Sequence, residues 1–109
     1  MAKSITIQEL KNMMKHKRKL KLLDVRRKGD FSAAPQRIPS AKWVDPEEVE
    51  SWIYTLPMGD FTVVYCKKGG PVSQSVVNRL AREGLDAVFL EGGIKAWKDQ
   101  HGPVDSSEE

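Results

Sequence analysis

With one cysteine, Cys66, the chain has no means of forming an internal disulfide. A lone free thiol suits a reducing compartment, so a cytoplasmic location is expected. No apolar run approaches the roughly 20 residues that a membrane span needs, so no membrane association is expected. The polar start Met1-Ala2-Lys3-Ser4 has none of the features of a signal peptide. Histidine is nearly absent: His16 and His101 both lie far from Cys66 in sequence, which argues against a Cys–His dyad and for two surface residues. Aromatic residues make up only 7% of the chain, and none interrupts the basic cluster Lys15-His16-Lys17-Arg18-Lys19 and Lys21. Nucleic-acid binding, which needs such interleaving, is therefore not expected. The cluster is left as a solvated helix end or an anionic docking surface.

What is present has the composition of a soluble globular domain: 109 residues, 39% hydrophobic and 30% charged, with a net charge of +3. That length suffices for one core and not for two. A single domain over residues 1–104 is expected, followed by an acidic, flexible tail at residues 105–109.

Short apolar runs alternate with helical patterns. Thr6 and Glu9 have the spacing of a capping box, and Leu10, Met13 and Met14 continue a helical stripe. Ser4-Ile5 before it is a candidate edge strand, and Leu20 to Val25 reads as a strand buried on both faces. Arg26 to Ile38 lacks periodicity and reads as a long loop, with Ala41 to Val44 as a short strand after it. Asp45-Pro46-Glu47-Glu48 has the order of a helix start, with Val49, Trp52, Ile53 and Leu56 on the buried face. Phe61 to Tyr65 and Ala87 to Leu90 are strands; a helix from about Ser73 separates them, and a short helix at Ile94 to Trp97 follows. This alternation predicts an α/β fold with a mainly parallel sheet and helices on both faces. Sites in such sheets form beyond the carboxyl ends of the strands, where Asp24, Cys66 and Glu91 all fall.

Cys66 is the most informative of these residues. It closes an apolar strand and opens the turn Lys67-Lys68-Gly69-Gly70-Pro71-Val72, directly before a helix. A thiol reacts as its thiolate, and loop N–H groups with a helix N-terminus stabilise that anion. The dipole supplies only about 0.3–1 kcal/mol, or about 2 when partly buried. Lys67 and Lys68 are the natural further contributors, a merely solvated role being the alternative for both. Gly69 and Gly70 let the backbone curl its N–H groups towards one centre, while Pro71 fixes the turn without adding a donor.

Four segments in order resemble the single-domain rhodanese family of sulfurtransferases, over about Ile5 to Pro103. They are Leu22-Leu23-Asp24-Val25-Arg26, Ile38-Pro39-Ser40-Ala41, Val63-Val64-Tyr65-Cys66-Lys67-Lys68-Gly69, and Leu90-Glu91-Gly92-Gly93-Ile94-Lys95-Ala96-Trp97. The resemblance implies a rhodanese-like, five-stranded parallel sheet and a catalytic Cys66 that carries sulfur as a persulfide. Thiosulfate or another sulfur donor would load it, and cyanide, a thiol or a protein acceptor would unload it, with no metal or organic cofactor. Lys67, Lys68, Gly69, Gly70, Val72 and Ser73 would form the substrate cradle. Asp24 and Arg26 would brace the active-site end of the sheet, Arg26 being the better placed to meet an anion.

The chain departs from the family pattern twice. Counted to a helix starting at Ser73, the loop from Cys66 to Val72 has seven residues rather than the common six. Longer loops resemble those of phosphatase-like relatives, but Val72 stands where these carry an oxyanion-gripping arginine. Arsenate reduction would further want a resolving thiol, and no second cysteine exists. Arg37 stands where relatives often have histidine. Sulfur transfer is thus the expected function, ahead of a non-catalytic binding or regulatory module and an oxyanion-processing enzyme. Retention of the cysteine weighs against the non-catalytic reading.

Overall fold

The computed structural model describes residues 2–16 and 19–105. In chain order it runs β1 (Ser4–Ile5), α1 (Ile7–Lys15), β2 (Leu20–Asp24), α2 (Lys28–Ala33), β3 (Lys42–Trp43), α3 (Val49–Trp52), β4 (Phe61–Tyr65), α4 (Pro71–Arg82), β5 (Ala87–Leu90) and α5 (Gly93–Asp99). The strands form one five-stranded sheet in the order β1-β5-β4-β2-β3, every pair parallel. The expected α/β architecture is therefore present. β4 is the middle strand, paired along its length with β2 and with β5. Its near-continuous apolar run follows from that position, because a strand covered on both faces has no solvated side.

Side-chain alternation divides the core in two. Leu22, Val63, Tyr65, Val88 and Leu90 face Ile7 and Leu10 of α1 and Ile94 and Trp97 of α5. Leu23, Val64 and Ala87 face Ile53 after α3 and Val76, Val77 and Leu80 of α4. Helices thus cover both faces, and Cys66, next after Tyr65, falls on the α4 side. Local signals hold the ends: Thr6 Oγ1 accepts from Glu9 N at 3.0 Å while Glu9 Oε1 accepts from Thr6 N at 2.9 Å, the predicted capping box.

Three expectations need correction. The segment from Arg26 to Ile38 is not all loop, since Lys28–Ala33 forms α2. Its N-cap, Arg27, makes no side-chain cap; α2 is held instead by Phe31 stacking on Trp43, with ring centroids 5.2 Å apart. The helix expected from Asp45 is split into a 3-10 turn at Pro46–Glu48, α3 and a second 3-10 turn at Ile53–Thr55, although Asp45 does cap its start through Glu47 N at 2.9 Å. Finally, α4 begins at Pro71, two residues before Ser73. Proline suits the first helical position, where its missing N–H would have had no partner.

Of the basic cluster, Lys15, His16 and Lys19 are exposed, while Lys17 and Arg18 lie outside the described residues. Of the acidic tail, Asp105 exchanges backbone hydrogen bonds of 2.9 and 2.7 Å with Arg37; residues 106–109 lie outside the described set. No described helix is long and apolar enough to cross a membrane.

Candidate active site

The site is built where β4 ends. Cys66 is 5% exposed, and its thiol donates to Ser73 Oγ at 3.2 Å. Ser73, wholly buried in the first turn of α4, donates in turn to Gly70 O at 3.4 Å. A hydroxyl both donates and accepts, so once the thiol loses its proton the same group can turn its O–H towards sulfur. Ser73 therefore serves either protonation state.

The loop owes its shape to α5. Ile94 N donates to Cys66 O and Lys95 N to Lys67 O, each at 3.0 Å, so the first turn of α5 holds the first two loop carbonyls. That approach needs glycine at two places. A Cβ on Gly93 would sit 2.5 Å from Cys66 O, and its φ is +61°. A Cβ on Gly69 would sit 2.8 Å from Gly92 N, and its φ is +74°. Backbone thus packs on backbone, which side chains would prevent. Among the described residues, the N–H groups of Lys68, Gly69, Gly70, Val72 and Ser73 donate to no protein acceptor. Such unpaired donors around a turn and helix start suit an anion.

These residues border a cleft of about 250 Å³ lined by Cys66, Lys67, Lys68, Gly70 and Val72, with Arg26, Arg27, Asp30 and Pro71 completing the wall. Most of the expected substrate residues therefore meet at the thiol. Gly69 and Ser73 are not on the wall; Gly69 shapes the loop from behind and Ser73 touches sulfur. Asp24 and Glu91 are also absent from the wall: Asp24 is buried beneath it, and Glu91 is exposed and accepts from Ser4 Oγ at 2.6 Å. The expected grouping of Asp24, Cys66 and Glu91 in one crevice is thus corrected. Arg27 and Asp30 were not expected at the site, because α2, which brings Asp30 there, carried no periodic signal. The two histidines are exposed, and neither lines this cleft.

Arg26 is better described as a brace than as an anion ligand. It is 2% exposed. Its Nε donates to both Asp24 carboxylate oxygens at 3.0 and 3.1 Å, and its Nη2 to Asp24 Oδ2 at 2.6 Å. Ala34 O accepts from Nη1 at 2.7 Å and Gln36 O from Nη2 at 2.9 Å. Phe31 lies over the guanidinium at 5.1 Å. One arginine thereby ties the end of β2 to the chain that leaves α2, with little hydrogen-bonding capacity left over. Tyr65 completes the network: its hydroxyl accepts from Ile38 N at 3.1 Å. Burial, and the nearby Asp24 carboxylate, push the Tyr65 phenol well above its ordinary value.

The wall of the cleft is differently charged. Lys67 and Lys68 are exposed and have no ion-pair partner among the described residues. Arg27 reaches Glu47 only at 4.0 Å, with both side chains well exposed. Asp30 is the one carboxylate on the wall. A reduced thiol, unpaired amides and loosely held cations together favour a small anion that sulfur can attack. Among the described residues no group of His, Cys, Asp and Glu is arranged to hold a metal ion. Arg37, the second departure in sequence, does not line the cleft; its side chain donates weakly to Ala41 O at 3.4 Å, and its Nε is buried without a partner.

Comparison with known proteins gives a consistent result. The family model described as a rhodanese-like domain matches residues 6–100. A putative sulfurtransferase of Bacillus subtilis, YtwF, is 30% identical over 101 residues, covering 93% of this chain and 95% of that protein. The probable adenylyltransferase/sulfurtransferase MoeZ of Mycobacterium tuberculosis is 31% identical over 102 residues, covering 92% of this chain. The match spans only 26% of MoeZ, about a quarter of that longer protein. Among solved structures, a rhodanese-like domain protein from Staphylococcus aureus superposes with a TM-score of 0.83 at 30% identity, over 97% of this chain and 99% of that one.

Proposed function

The chain belongs to the rhodanese-like domain family, and from that premise we propose that it is a sulfurtransferase whose sulfur carrier is Cys66. The observation that carries this reading is the Cys66 thiol at the base of a cleft ringed by unpaired loop amides and unpaired lysines. Thiosulfate is a suitable donor. The Cys66 thiolate attacks its outer sulfur, a new S–S bond forms, and the old S–S bond breaks with its electron pair leaving on sulfite. The product is a Cys66 persulfide whose terminal sulfur carries the negative charge. The amides of Lys68, Gly70 and Val72, whose residues line the cleft, stabilise that charge as it forms, and Lys67 and Lys68 attract the incoming dianion. Cyanide or a thiol then takes the terminal sulfur, and the electron pair of the carrier bond returns to Cys66. The cysteine does the bond-making throughout, so no further cofactor is invoked. A thiol that must be reduced to act suits a cytoplasmic setting.

Phosphoryl transfer is the poorer reading. It would require a cation poised to grip the oxyanion, and the wall carries apolar Val72 after Pro71 while Arg26 is committed to Asp24. The start of α4 at Pro71 also removes the basis for counting an unusually long loop.

The test is intact-mass measurement after incubation with thiosulfate and removal of the excess, with Cys66→Ser alongside. The wild type should gain one sulfur, the variant none, and the variant should keep the wild-type circular dichroism. A wild type that gains no sulfur from thiosulfate or any other sulfane donor would overturn the assignment.

A further inference from the structure

A second, larger cleft of about 430 Å³ adjoins the one at Cys66. The two share Arg26, Asp30, Lys67 and Lys68. Beyond that shared wall, the second is bounded by Ala33 and Ala34 at the end of α2 and by Ile94, Lys95 and Lys98 of α5. Its character is a positive rim over an apolar floor. Ile94 is buried, and with the two alanines it offers carbon surface. Lys67, Lys68 and Lys98 have no ion-pair partner among the described residues. Lys95 lies 3.0 Å from Asp99, but both side chains are more than half exposed, and such pairs are readily exchanged for a ligand. Asp30 is the only acid on this wall.

Neither thiosulfate nor cyanide needs this space, because both are small enough to be served by the first cleft alone. A second cleft that opens from the one at the thiol, across their shared wall, and ends in lysines fits an elongated ligand, with sulfur at one end and several negative charges at the other. We propose that it binds the sulfur acceptor, a small thiol bearing at least two negative charges, with its anionic groups on Lys95 and Lys98 and its sulfur at Cys66. This rests on the persulfide reading above. The acceptor thiolate attacks the terminal sulfur of the persulfide and a new S–S bond forms. The bond to Cys66 breaks with its electron pair returning to the Cys66 sulfur, and the transferred sulfur keeps the negative charge it carried in the Cys66 persulfide. The products are an acceptor persulfide and the Cys66 thiolate, so charge and atoms balance without an outside oxidant or reductant.

The experiment loads the full chain with sulfur from thiosulfate and follows discharge to thiols of graded charge. The probes are neutral 2-mercaptoethanol, mercaptosuccinate with two carboxylates, and 2-mercaptoethylphosphonate, with each rate referred to the thiolate present. Both dianions should discharge the persulfide about tenfold faster than the neutral thiol at low salt, and the advantage should shrink as ionic strength rises. A preference between them identifies carboxylate or phosphate as the acceptor's charged group. In Lys95→Gln/Lys98→Gln the dianion-to-neutral ratio should fall towards one, and in Lys98→Glu, which changes the local charge by the same amount, it should fall comparably. A ratio near one in the wild type, or a ratio that the variants leave unchanged, overturns the proposal. Discharge of the loaded wild type to cyanide is measured in parallel: if no persulfide forms to be discharged, it is the sulfurtransferase reading that fails.

Discussion

Two sets of cations lie within a few residues of the Cys66 cleft, and they are built in opposite ways. Arg26 is buried, with Asp24 and two backbone carbonyls as its partners. Lys67 and Lys68 stand exposed with no ion-pair partner among the described residues. A buried charge must be matched inside the protein, because water is not there to solvate it. An exposed one costs little and stays available. Position on the cleft wall is therefore a poor guide to role, since all three residues line it. Available hydrogen-bonding capacity is the better guide: that of Arg26 is nearly all committed inside the protein, while the lysines keep theirs for the anion of the proposed reaction.

The largest effect should come from breaking the brace. Asp24→Ala leaves the guanidinium buried with its main partner gone, and should cost about 3–5 kcal/mol of stability in urea unfolding. Replacing both partners, as in Asp24→Leu/Arg26→Met, should cost clearly less than the single change, because no charge is then stranded. If Asp24→Ala lost under about 1 kcal/mol, Arg26 would have to be finding water or an anion instead, and the contrast with the lysines would collapse.

Next in size is Tyr65→Phe. It leaves Ile38 N–H buried without its acceptor and should cost about 1–3 kcal/mol at neutral pH. Its pH dependence sharpens the point. The folded phenol is held above its ordinary value, so the unfolded chain loses that proton first as pH rises past about 10. Above that pH the unfolded state binds fewer protons, and the wild type should lose roughly one kcal/mol per pH unit through this group. The stabilising contribution is fully present below pH 10 and is lost above it. Tyr65→Phe lacks this loss, so the gap between the two proteins should narrow from about pH 10 upward. Paired unfolding curves at pH 8 and 10.5 check it; a gap that widens would contradict the buried, neutral phenol.

How much of this was legible in sequence depends on the range of the interaction. The strands Phe61 to Tyr65 and Ala87 to Leu90 are readable because burial on both faces leaves a near-continuous apolar run. The capping box at Thr6 was readable because both partners lie within one turn. α2 is not: its six residues have no buried face of their own, and the partner of Phe31, Trp43, lies beyond the helix in β3. The start of α4 is not legible either, because a proline after two glycines has the pattern of a turn, although proline also suits the first position of a helix. At the site, Cys66 and its glycine-rich turn were legible as a local pattern. That Gly93 lets α5 hold the Cys66 and Lys67 carbonyls was not, since it depends on a contact between segments far apart in the chain. For the same reason the role of Arg26 was legible only in outline. Its pairing with Asp24 is local, but the carbonyls of Ala34 and Gln36 are not.

The smallest effect on stability, and the sharpest test of the contrast, belongs to the lysines. Lys67→Ala/Lys68→Ala removes two exposed charges with no ion-pair partner among the described residues, so unfolding free energy should change by no more than about 0.5 kcal/mol. The function should respond where the fold does not. Each exposed cation contributes on the order of 0.2–1 kcal/mol to holding an anion. The two together should therefore raise the thiosulfate KM by about three- to tenfold. The catalytic constant should hardly move, because in the proposed mechanism the unpaired loop amides, rather than the lysines, stabilise the charge that develops on sulfur. Added salt screens exposed charges over about 8–10 Å, so the wild-type KM should rise with salt and converge on that of the variant. If kcat fell as far as kcat/KM while KM held, the lysines would be acting on the transition state, and their role would lie in chemistry rather than in capture.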